Sequence, residues 1–291
     1  LLIMILGNLM CSLVDNLSTF ILCRFVAGLG AGVVMTMTIQ VIGIMRSPDR
    51  VYGMWTVGQL SLGALGMLVF PAVIALSSVN AVFLIWALLA AVLFISVRFY
   101  PQGRDAESSM TENLNSKGRR ALGLLGLLGL FVYYGGQAGV WVYLERVGFS
   151  WGIEREQVVY TLFVSLLAGI SGGVVAIVLG DRLGRALPLT ASMIISAVSI
   201  LAFIQLRGTT TFVVAACLFN FGWYLFLPYM SAIIAAVDNN GSLLTGLAVI
   251  FPAGLAAGPA IAALLIETAG TLTPALLYGL ISVPVGLVLI L

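Results

Sequence analysis

The sequence predicts an all-α protein that crosses a membrane many times, and three observations support this fold class. Hydrophobic residues make up 61% of the chain and charged residues only 8%, whereas a soluble domain carries roughly 25% charged residues. The mean hydropathy is +1.15. Apolar runs near or above the roughly 20 residues that a helix needs to cross about 30 Å of hydrocarbon recur to the end of the chain. These runs lack the alternation of membrane strands, which argues against an outer-membrane barrel.

Ten apolar runs are predicted to form transmembrane helices. The first run ends before Asp15 and spans only about 21 Å at 1.5 Å per residue, which is short of a crossing. Because the chain also begins at Leu1 inside an apolar segment, we expect further helices upstream. The ten runs cover residues 1–14, 17–45, 51–76, 80–99, 121–144, 157–179, 187–206, 211–237, 243–266 and 274–291.

The residue types that carry most enzyme and metal chemistry are scarce. Cys11, Cys23 and Cys217 lie in predicted spans without the spacing of a disulfide or zinc site, and we interpret them as packing residues. The sequence has no histidine, which is the commonest metal ligand. The spans also lack a nucleophile motif or paired carboxylates, and no nucleotide loop or nucleic-acid surface is recognisable. The sequence therefore predicts no enzyme, no cofactor, no metal site and no nucleic-acid partner.

Basic residues are distributed unequally between alternate loops, which predicts the orientation of the chain. Lys and Arg concentrate on the cytoplasmic side of membrane proteins. The richer set of loops is therefore predicted to be cytoplasmic, as are both ends of the chain, in the inner or plasma membrane. The richer set holds Arg46, Arg50, Arg98, Arg104, Lys117, Arg119, Arg120, Arg182 and Arg185, and the other set holds Arg146, Arg155 and Arg207.

The longest polar stretch, residues 101–120, predicts the division of the chain into domains. It has no apolar face and is rich in Ser, Asn and charge, so it is predicted to be a cytoplasmic linker. It separates an N-terminal bundle of four helices, residues 1–100, from a C-terminal bundle of six helices, residues 121–291.

A short charged loop, "GDRLGR" at residues 180–185, lies between two apolar runs. It resembles the loop signature of the major facilitator superfamily, approximately G-x-x-x-D-R-x-G-R-R, although Ile177 stands at the leading glycine and Ala186 at the last basic position. In that family the signature joins the second and third helices and recurs in weaker form between the eighth and ninth. Six spans after the linker make this loop the eighth-to-ninth one. The matching residues are Asp181, Arg182, Gly184 and Arg185.

The second apolar run resembles the same family. Its segment "FILCRFVAGLGAG" (20–32) is similar to the fourth-helix pattern, with Ala27 in place of the usual glutamine and Gly32 in place of the last alanine. The resemblance implies a two-bundle fold of twelve helices, of which this chain holds helices three to twelve. It also implies a monomer in the lipid bilayer. The matching residues are Arg24, Gly28, Gly30 and Ala31.

The charged loop has two interpretations. Gly184 suits a tight turn, Asp181 can lie at a helix N-terminus, where a carboxylate gains roughly 0.3–1 kcal/mol, and Arg185 can reach helix carbonyls or carboxylates. In a protein that alternates between two open states such contacts exist in one state only, so the loop would be a cytoplasmic gate that includes Arg182. The alternative is a capped turn that anchors positive charge at the membrane surface.

Arg24 is the only charge clearly inside a predicted span, where an arginine at the centre costs roughly 2.5–3.5 kcal/mol. One interpretation is that its side chain extends to the outer interface. The other interpretation, which the resemblance implies, is that Arg24 faces a central cavity. There it would pair with an anionic substrate group or with a carboxylate whose protonation drives transport.

Polar and aromatic residues recur on helices that the resemblance assigns to the cavity, namely the first, fourth, seventh and tenth. In the seventh, Tyr133, Gln137 and Trp141 recur every four residues and share one helix face. In the tenth, a buried Asn220 needs a hydrogen-bond partner, and Trp223 lies one turn further on. A packed aromatic face is the alternative. The predicted substrate cavity comprises Arg24, Gln40, Tyr133, Gln137, Trp141, Asn220, Trp223 and Tyr224.

Small residues and a proline in the eleventh helix predict close packing or a hinge. The segment "GLAAGPAIAA" (254–263) resembles G-x-x-x-G-P-x-x-G-G, a fifth-helix signature of the family's proton-driven antiporters, with alanines for the last two glycines. The fifth helix of this chain fits that spacing poorly at residues 58–66, and ordinary helix packing also explains the glycines. The predicted packing or hinge residues are Gly28, Gly32, Gly254, Gly258 and Pro259.

The function that these observations predict is secondary active transport of a small organic solute by alternating access. An aromatic cavity with one arginine favours an amphipathic or weakly anionic solute over a sugar. Ion coupling is expected, with the proton as a candidate ion, and export is favoured over uptake. The alternative is a transport-inactive scaffold or sensor with the same fold.

Overall fold

The computed structural model describes residues 1–14, 16–95, 98, 116–238 and 240–290, and all regular structure within these ranges is helical, which confirms the all-α prediction. Residues 101–115 of the predicted linker lie outside the described residues, and the next helix begins at Ser116. The helices of the described ranges are α1 (Leu2–Cys11), α2 (Leu17–Gly43), α3 (Pro48–Leu76), α4 (Val79–Phe94), α5 (Ser116–Ser150), α6 (Arg155–Leu179), α7 (Ala186–Gln205), α8 (Thr209–Val237), α9 (Ser242–Ala269) and α10 (Thr273–Ile290).

Each predicted apolar run coincides with one of these helices. Eight helices in the described part of the chain are long and apolar enough to cross a membrane. Helix α1 has 10 residues and α4 has 16, so both are shorter than the roughly 20 residues of a full crossing. The short first run therefore corresponds to a short helix.

The described residues form two compact units. Unit 1 comprises the described residues among 1–39 and 65–113, and unit 2 comprises those among 40–64 and 114–291. Residues 40–64, at the end of α2 and the start of α3, thus group with the C-terminal helices. The predicted division into bundles of residues 1–100 and 121–291 stays a prediction.

In unit 1, a glycine allows α1 to approach α2 closely, and an aromatic pair connects α2 to α4. A Cβ atom at Gly7 of α1 would lie 2.8 Å from Ala27 of α2, so only a residue without a side chain fits there. Phe20 of α2 and Phe83 of α4 meet edge to face with ring centroids 5.4 Å apart. Gly28 and Gly32 of α2 have no neighbouring atom within 4 Å of an added Cβ, and their packing or hinge role stays a prediction.

In unit 2, α5 packs against α9 and α10, while α8 packs against α6 and α7. A Cβ at Gly258 of α9 would collide with the carbonyl oxygen of Gly135 of α5, and one at Gly254 would lie 3.2 Å from the Cβ of Tyr134. Pro259 lies inside the same continuous helix. Because α5 carries the predicted cavity residues, these glycines determine how closely α9 approaches that helix.

Replacing Gly258 by alanine is expected to destabilise the protein by about 1–3 kcal/mol, because the methyl group forces α9 away from α5. The melting temperature of the purified protein measures this effect. Gly58→Ala is the matched control, because nothing lies within 4 Å of a Cβ at Gly58. Alanine is intrinsically the better helix former there, by about 0.5–1 kcal/mol. Equal melting temperatures for the two variants would contradict the tight contact.

Candidate functional site

One face of α5 presents buried polar and aromatic side chains to the interior of unit 2. Tyr133 and Tyr134 lie four and three residues before Gln137, so both are on the same side of the helix as Gln137, and all three are fully buried. Trp141, one turn further on, is half-buried. Along the predicted four-residue repeat of α5, Tyr133 and Gln137 are therefore buried and Trp141 is more accessible.

Two hydrogen bonds connect this region across neighbouring helices. The Tyr133 hydroxyl lies 3.0 Å from Ser196 Oγ of α7, and Ser196 donates its own proton to the Ser192 carbonyl, so Tyr133 is the donor. The Asn220 amide of α8 donates to Ser165 Oγ of α6 at 2.9 Å. Buried polar side chains therefore connect α5 to α7 and α8 to α6.

Aromatic rings surround these polar groups. The Tyr134 ring centroid lies 5.6 Å from that of Trp223 on α8 and 4.9 Å from that of Phe251 on α9. Trp223 in turn stacks on the half-buried Tyr224 at 5.3 Å. The rings of α5, α8 and α9 thus form one continuous aromatic surface beside the hydrogen-bonding groups.

Several buried polar atoms in this region lack any hydrogen-bond partner among the described residues. Nearly all buried polar atoms in folded proteins have a partner, and leaving one unsatisfied costs about 1–3 kcal/mol. Here donors and acceptors without partners occur on two helices in contact, which is the arrangement expected of a site that binds a ligand through hydrogen bonds. We call Tyr134, Gln137, Asn220 and Trp223 the amide–aromatic cluster. The atoms without partners are Tyr134 Oη, Gln137 Nε2, Gln137 Oε1, Asn220 Oδ1 and Trp223 Nε1.

Gln40, which is predicted to line the same cavity, makes its described hydrogen bond to a residue outside this cluster. It belongs to the last turn of α2, where its Nε2 donates to Thr245 Oγ1 in the first turn of α9 at 2.8 Å. The structure therefore gives Gln40 a contact between helix ends, and its place in the substrate cavity stays a prediction.

Arg24 belongs to unit 1, and its described contacts are within that unit. Its Nη1 donates to Asn8 Oδ1 of α1 at 3.2 Å, and its guanidinium carbon lies 5.7 Å from the centre of the Phe83 ring. Asn8 is buried and was not predicted as a site residue, although an amide inside a short apolar run is a recognisable signal. Both interpretations of Arg24, at the outer interface or in a cavity, stay open.

The charged loop between α6 and α7 contains a specific ion pair. Arg185 Nε and Nη2 donate to the two carboxylate oxygens of Asp49 at 2.9 and 3.0 Å. Asp49, in the first turn of α3, is 2% exposed and Arg185 is 27% exposed. This two-point geometry is the strong form of an arginine–carboxylate contact. Gly184 has a φ of +69°, as expected for the turn, while Asp181 and Arg182 are exposed.

The sequence as a whole matches one protein family. The model of the major facilitator superfamily matches residues 1–237, which is most of the chain. The chain belongs to the major facilitator superfamily. With its eight apolar helices, this member of the superfamily is a multi-pass integral membrane protein with the fold of a transporter. No curated protein sequence gives a significant match.

Solved structures of the superfamily share the fold of this chain. The transporter FucP in its outward conformation superposes with a TM-score of 0.77 at 15% identity, covering 99% of this chain and 80% of that one. A variant of the E. coli fucose:proton symporter FucP gives 0.74 at 16% identity, covering 99% and 81%. The human organic anion transporter MFSD10 (TETRAN) gives 0.78 at 16% identity, covering 100% and 75%. At these identities the likeness establishes the fold alone.

Within the superfamily fold, the amide–aromatic cluster is suited to binding and not to bond cleavage. Its side chains are uncharged amides, an indole and a phenol, which donate and accept hydrogen bonds. Among the described residues no three His, Cys, Asp or Glu side chains come together in a way that could hold a metal ion. The helices α5 and α8 that carry the cluster are two of those predicted to line the cavity.

Proposed function

We propose that this protein is a secondary active transporter that binds its solute at the amide–aromatic cluster of α5 and α8. The observation that carries the proposal is the set of buried polar atoms without partners on Tyr134, Gln137, Asn220 and Trp223. A solute that hydrogen-bonds to these atoms supplies the missing partners when it binds.

The composition of the cluster supports an amphipathic organic solute. Gln137 and Trp223 offer N–H donors, Gln137 and Asn220 offer carbonyl acceptors, and the rings of Tyr134 and Phe251 offer apolar surface. The solved structures that resemble this chain carry different solutes, since one is a fucose:proton symporter and another an organic anion transporter. The preference for an amphipathic solute therefore rests on the cluster of this chain.

The Arg185–Asp49 pair supports a gate at one end of unit 2. It connects the loop before α7 to the first turn of α3, at the same helix ends where Gln40 bonds to Thr245. We place this end in the cytoplasm, because the basic residues concentrate there, and the protein in the cell membrane as a monomer. Proton-coupled export is the proposed direction, on the resemblance of "GLAAGPAIAA" to the antiporter signature.

Transport into inside-out membrane vesicles tests the proposal. We expect flux of at least one amphipathic solute from a small panel, dependent on an imposed proton gradient. Gln137→Leu is expected to lower that flux at least about tenfold, because two hydrogen-bonding atoms are lost while the side-chain size is nearly kept. Gln205→Leu is the matched control, since Gln205 is exposed at the end of α7, and its flux should equal that of the wild type.

The alternative function is a transport-inactive scaffold or sensor with the same fold. Both predict no flux with any member of the panel, and a scaffold also predicts no rise in melting temperature when any solute is added. Gradient-independent flux would instead contradict the proposed coupling while leaving solute binding at the cluster intact.

A further inference from the structure

A cavity lies at the opposite end of unit 2 from the Arg185–Asp49 pair. Its volume is about 430 Å³, within the roughly 300–1,000 Å³ of pockets that hold small organic ligands. The cavity lies where α5 and α7 end and α10 begins. It is separate from the amide–aromatic cluster, none of whose residues lines it. The lining residues are Val147, Ser150, Trp151, Phe203, Ile204, Arg207, Gly270, Thr271, Leu272, Thr273 and Leu276.

The cavity has an apolar floor and a polar rim. Val147, Phe203 and Leu276 form the floor and are almost completely buried. The rim carries the hydroxyl groups of Ser150, Thr271 and Thr273, all three of which are exposed. This division matches a ligand with an apolar body and a polar head.

The rim of the cavity carries a positive charge, Arg207, that has no ion-pair partner among the described residues. The Arg207 guanidinium carbon lies 5.3 Å from the centre of the Trp151 ring, which holds the cation over one wall of the cavity. Arg207 forms no ion pair with any carboxylate in the described part of the chain. Trp151 Nε1 is also buried without an acceptor among these residues, so the cavity borders an unused donor. A cation and donors without anionic partners favour an anionic head group.

The first turn of α10 adds to this preference. Thr273 begins α10 and lines the cavity, and the first backbone N–H groups of a helix have no partner within the helix. Because Pro274 has no N–H, the donors of this turn are those of Thr273 and Ala275. The N-terminal end of a helix also carries partial positive charge, which attracts anions. Its contribution supplements Arg207, whose full charge lies on the same rim.

We propose that this cavity binds an amphipathic anion, with its carboxylate or phosphate at Arg207 and its apolar body against Phe203 and Leu276. Both a soluble organic acid and the head group of an anionic phospholipid have this chemistry. The site lies apart from the proposed solute site and does not depend on it. Its occupant bridges the ends of α5, α7 and α10.

Binding of a soluble organic acid is tested with purified protein in nanodiscs and the probe 4-(trifluoromethyl)phenylacetate. Broadening of the probe's ¹⁹F NMR line measures binding. We expect saturable binding that Arg207→Gln weakens at least about tenfold and that the uncharged amide of the probe does not show. Arg146→Gln is the matched control, because Arg146 stacks on Tyr143 at 5.2 Å in the same way but does not line the cavity. It should bind the probe as the wild type does.

The lipid source is tested in nanodiscs that contain brominated phosphatidylglycerol, with brominated phosphatidylcholine for comparison. If the head group occupies the cavity, the anionic lipid quenches tryptophan fluorescence more strongly than the zwitterionic lipid. The excess quenching should disappear in Arg207→Gln and in Trp151→Phe, but persist in Arg146→Gln.

Thr271→Phe gives an independent test, because it fills the rim from an exposed position without altering the buried floor and adds no new tryptophan to the fluorescence signal. It should abolish whichever of the two signals the wild type shows. The proposal is overturned if neither probe distinguishes wild type from Arg207→Gln, or if a folded Thr271→Phe protein binds as the wild type does.

Discussion

Replacing Gln137 by leucine is expected to make the solute-free protein more stable, even though the same change should lower transport at least about tenfold. Both amide atoms of Gln137 are buried without a partner, and its side chain is 0% exposed. An unsatisfied buried group costs about 1–3 kcal/mol, and leucine of similar size removes that cost. We therefore expect the free energy of unfolding to rise by an amount in this range.

The measurement is the melting temperature of purified protein with and without a transported solute. Wild-type protein should melt at a higher temperature with solute, because a ligand that binds only the folded state stabilises it. Gln137→Leu should melt higher than wild type without solute and show little further rise with it. Gln205→Leu should stay within about 0.5 kcal/mol of wild type in both conditions, as exposed substitutions usually do.

Opposite signs for stability and transport distinguish a binding site from a structural core. If Gln137 made an essential structural contact, its replacement would lower both the melting temperature and the flux. A lower melting temperature for solute-free Gln137→Leu would therefore contradict the view that the amide–aromatic cluster is prepared for a ligand. Asn220 is the less suitable residue for this test, because its Nδ2 already donates to Ser165.

The positions of the helices could be predicted from sequence because the bilayer imposes a strong pattern. An uninterrupted apolar run is the requirement for crossing, and each predicted run contains most of one helix. The ends were less predictable. The run at 121–144 becomes α5, Ser116–Ser150, because Glu145 and Arg146 end the apolar stretch but are good helix formers. Apolar runs mark the membrane crossing, and helices extend beyond it.

The candidate site could be predicted only in part, since local spacing identifies a helix face but not its partners. The period of four residues located Tyr133 and Gln137 on one face of α5. It could not identify Ser196 as the partner of Tyr133, because serines are common in apolar helices and the two residues are 63 positions apart. Nor could it identify Thr245 of α9 as the hydrogen-bond partner of Gln40.

Asp49 illustrates the same limit for the charged loop. The sequence pattern identified Arg185 and its need for a carboxylate or carbonyl partner, but the partner lies 136 positions earlier in the chain. The local signal at Asp49 is an acidic residue in the first turn of α3, which is common at helix N-termini. Only the folded structure shows that Asp49, besides lying at a helix N-terminus, is the ion-pair partner of Arg185.

Breaking the Arg185–Asp49 pair is expected to shift the protein towards a state in which residues 40–64 separate from the C-terminal helices. Exposed ion pairs contribute roughly 0–1 kcal/mol, and removing one partner of a buried pair costs roughly 3–5 kcal/mol. Asp49 is 2% exposed and Arg185 is 27% exposed. We therefore expect the loss of one partner to cost an energy between these limits, about 2 kcal/mol. That energy changes the ratio of two conformations about thirtyfold.

A single cysteine at Leu244 can report this separation. Leu244 is 4% exposed, and its Cδ1 lies 2.6 Å from where a Cβ of Gly43 would be, so it is covered by the end of α2. In a background without the native cysteines, the rate at which Leu244→Cys reacts with a maleimide measures how often this cover opens. Arg185→Ala should raise the rate at least about tenfold, whereas Arg182→Ala, in the same loop but exposed, should not.

Exchanging the charges of Asp49 and Arg185 distinguishes the two interpretations of the charged loop, a gate or an anchor at the membrane surface. Asp49→Arg and Arg185→Asp should each increase the labelling rate, and combining them should restore a rate close to that of wild type, because the opposite charges meet again. An anchor that acts only through positive charge at the membrane surface gives a different pattern. The single change Asp49→Arg would then add a cytoplasmic charge without opening the cover, and the double variant would behave like the sum of the single ones. Unchanged labelling in Arg185→Ala would favour that anchor and remove the pair from the transport cycle.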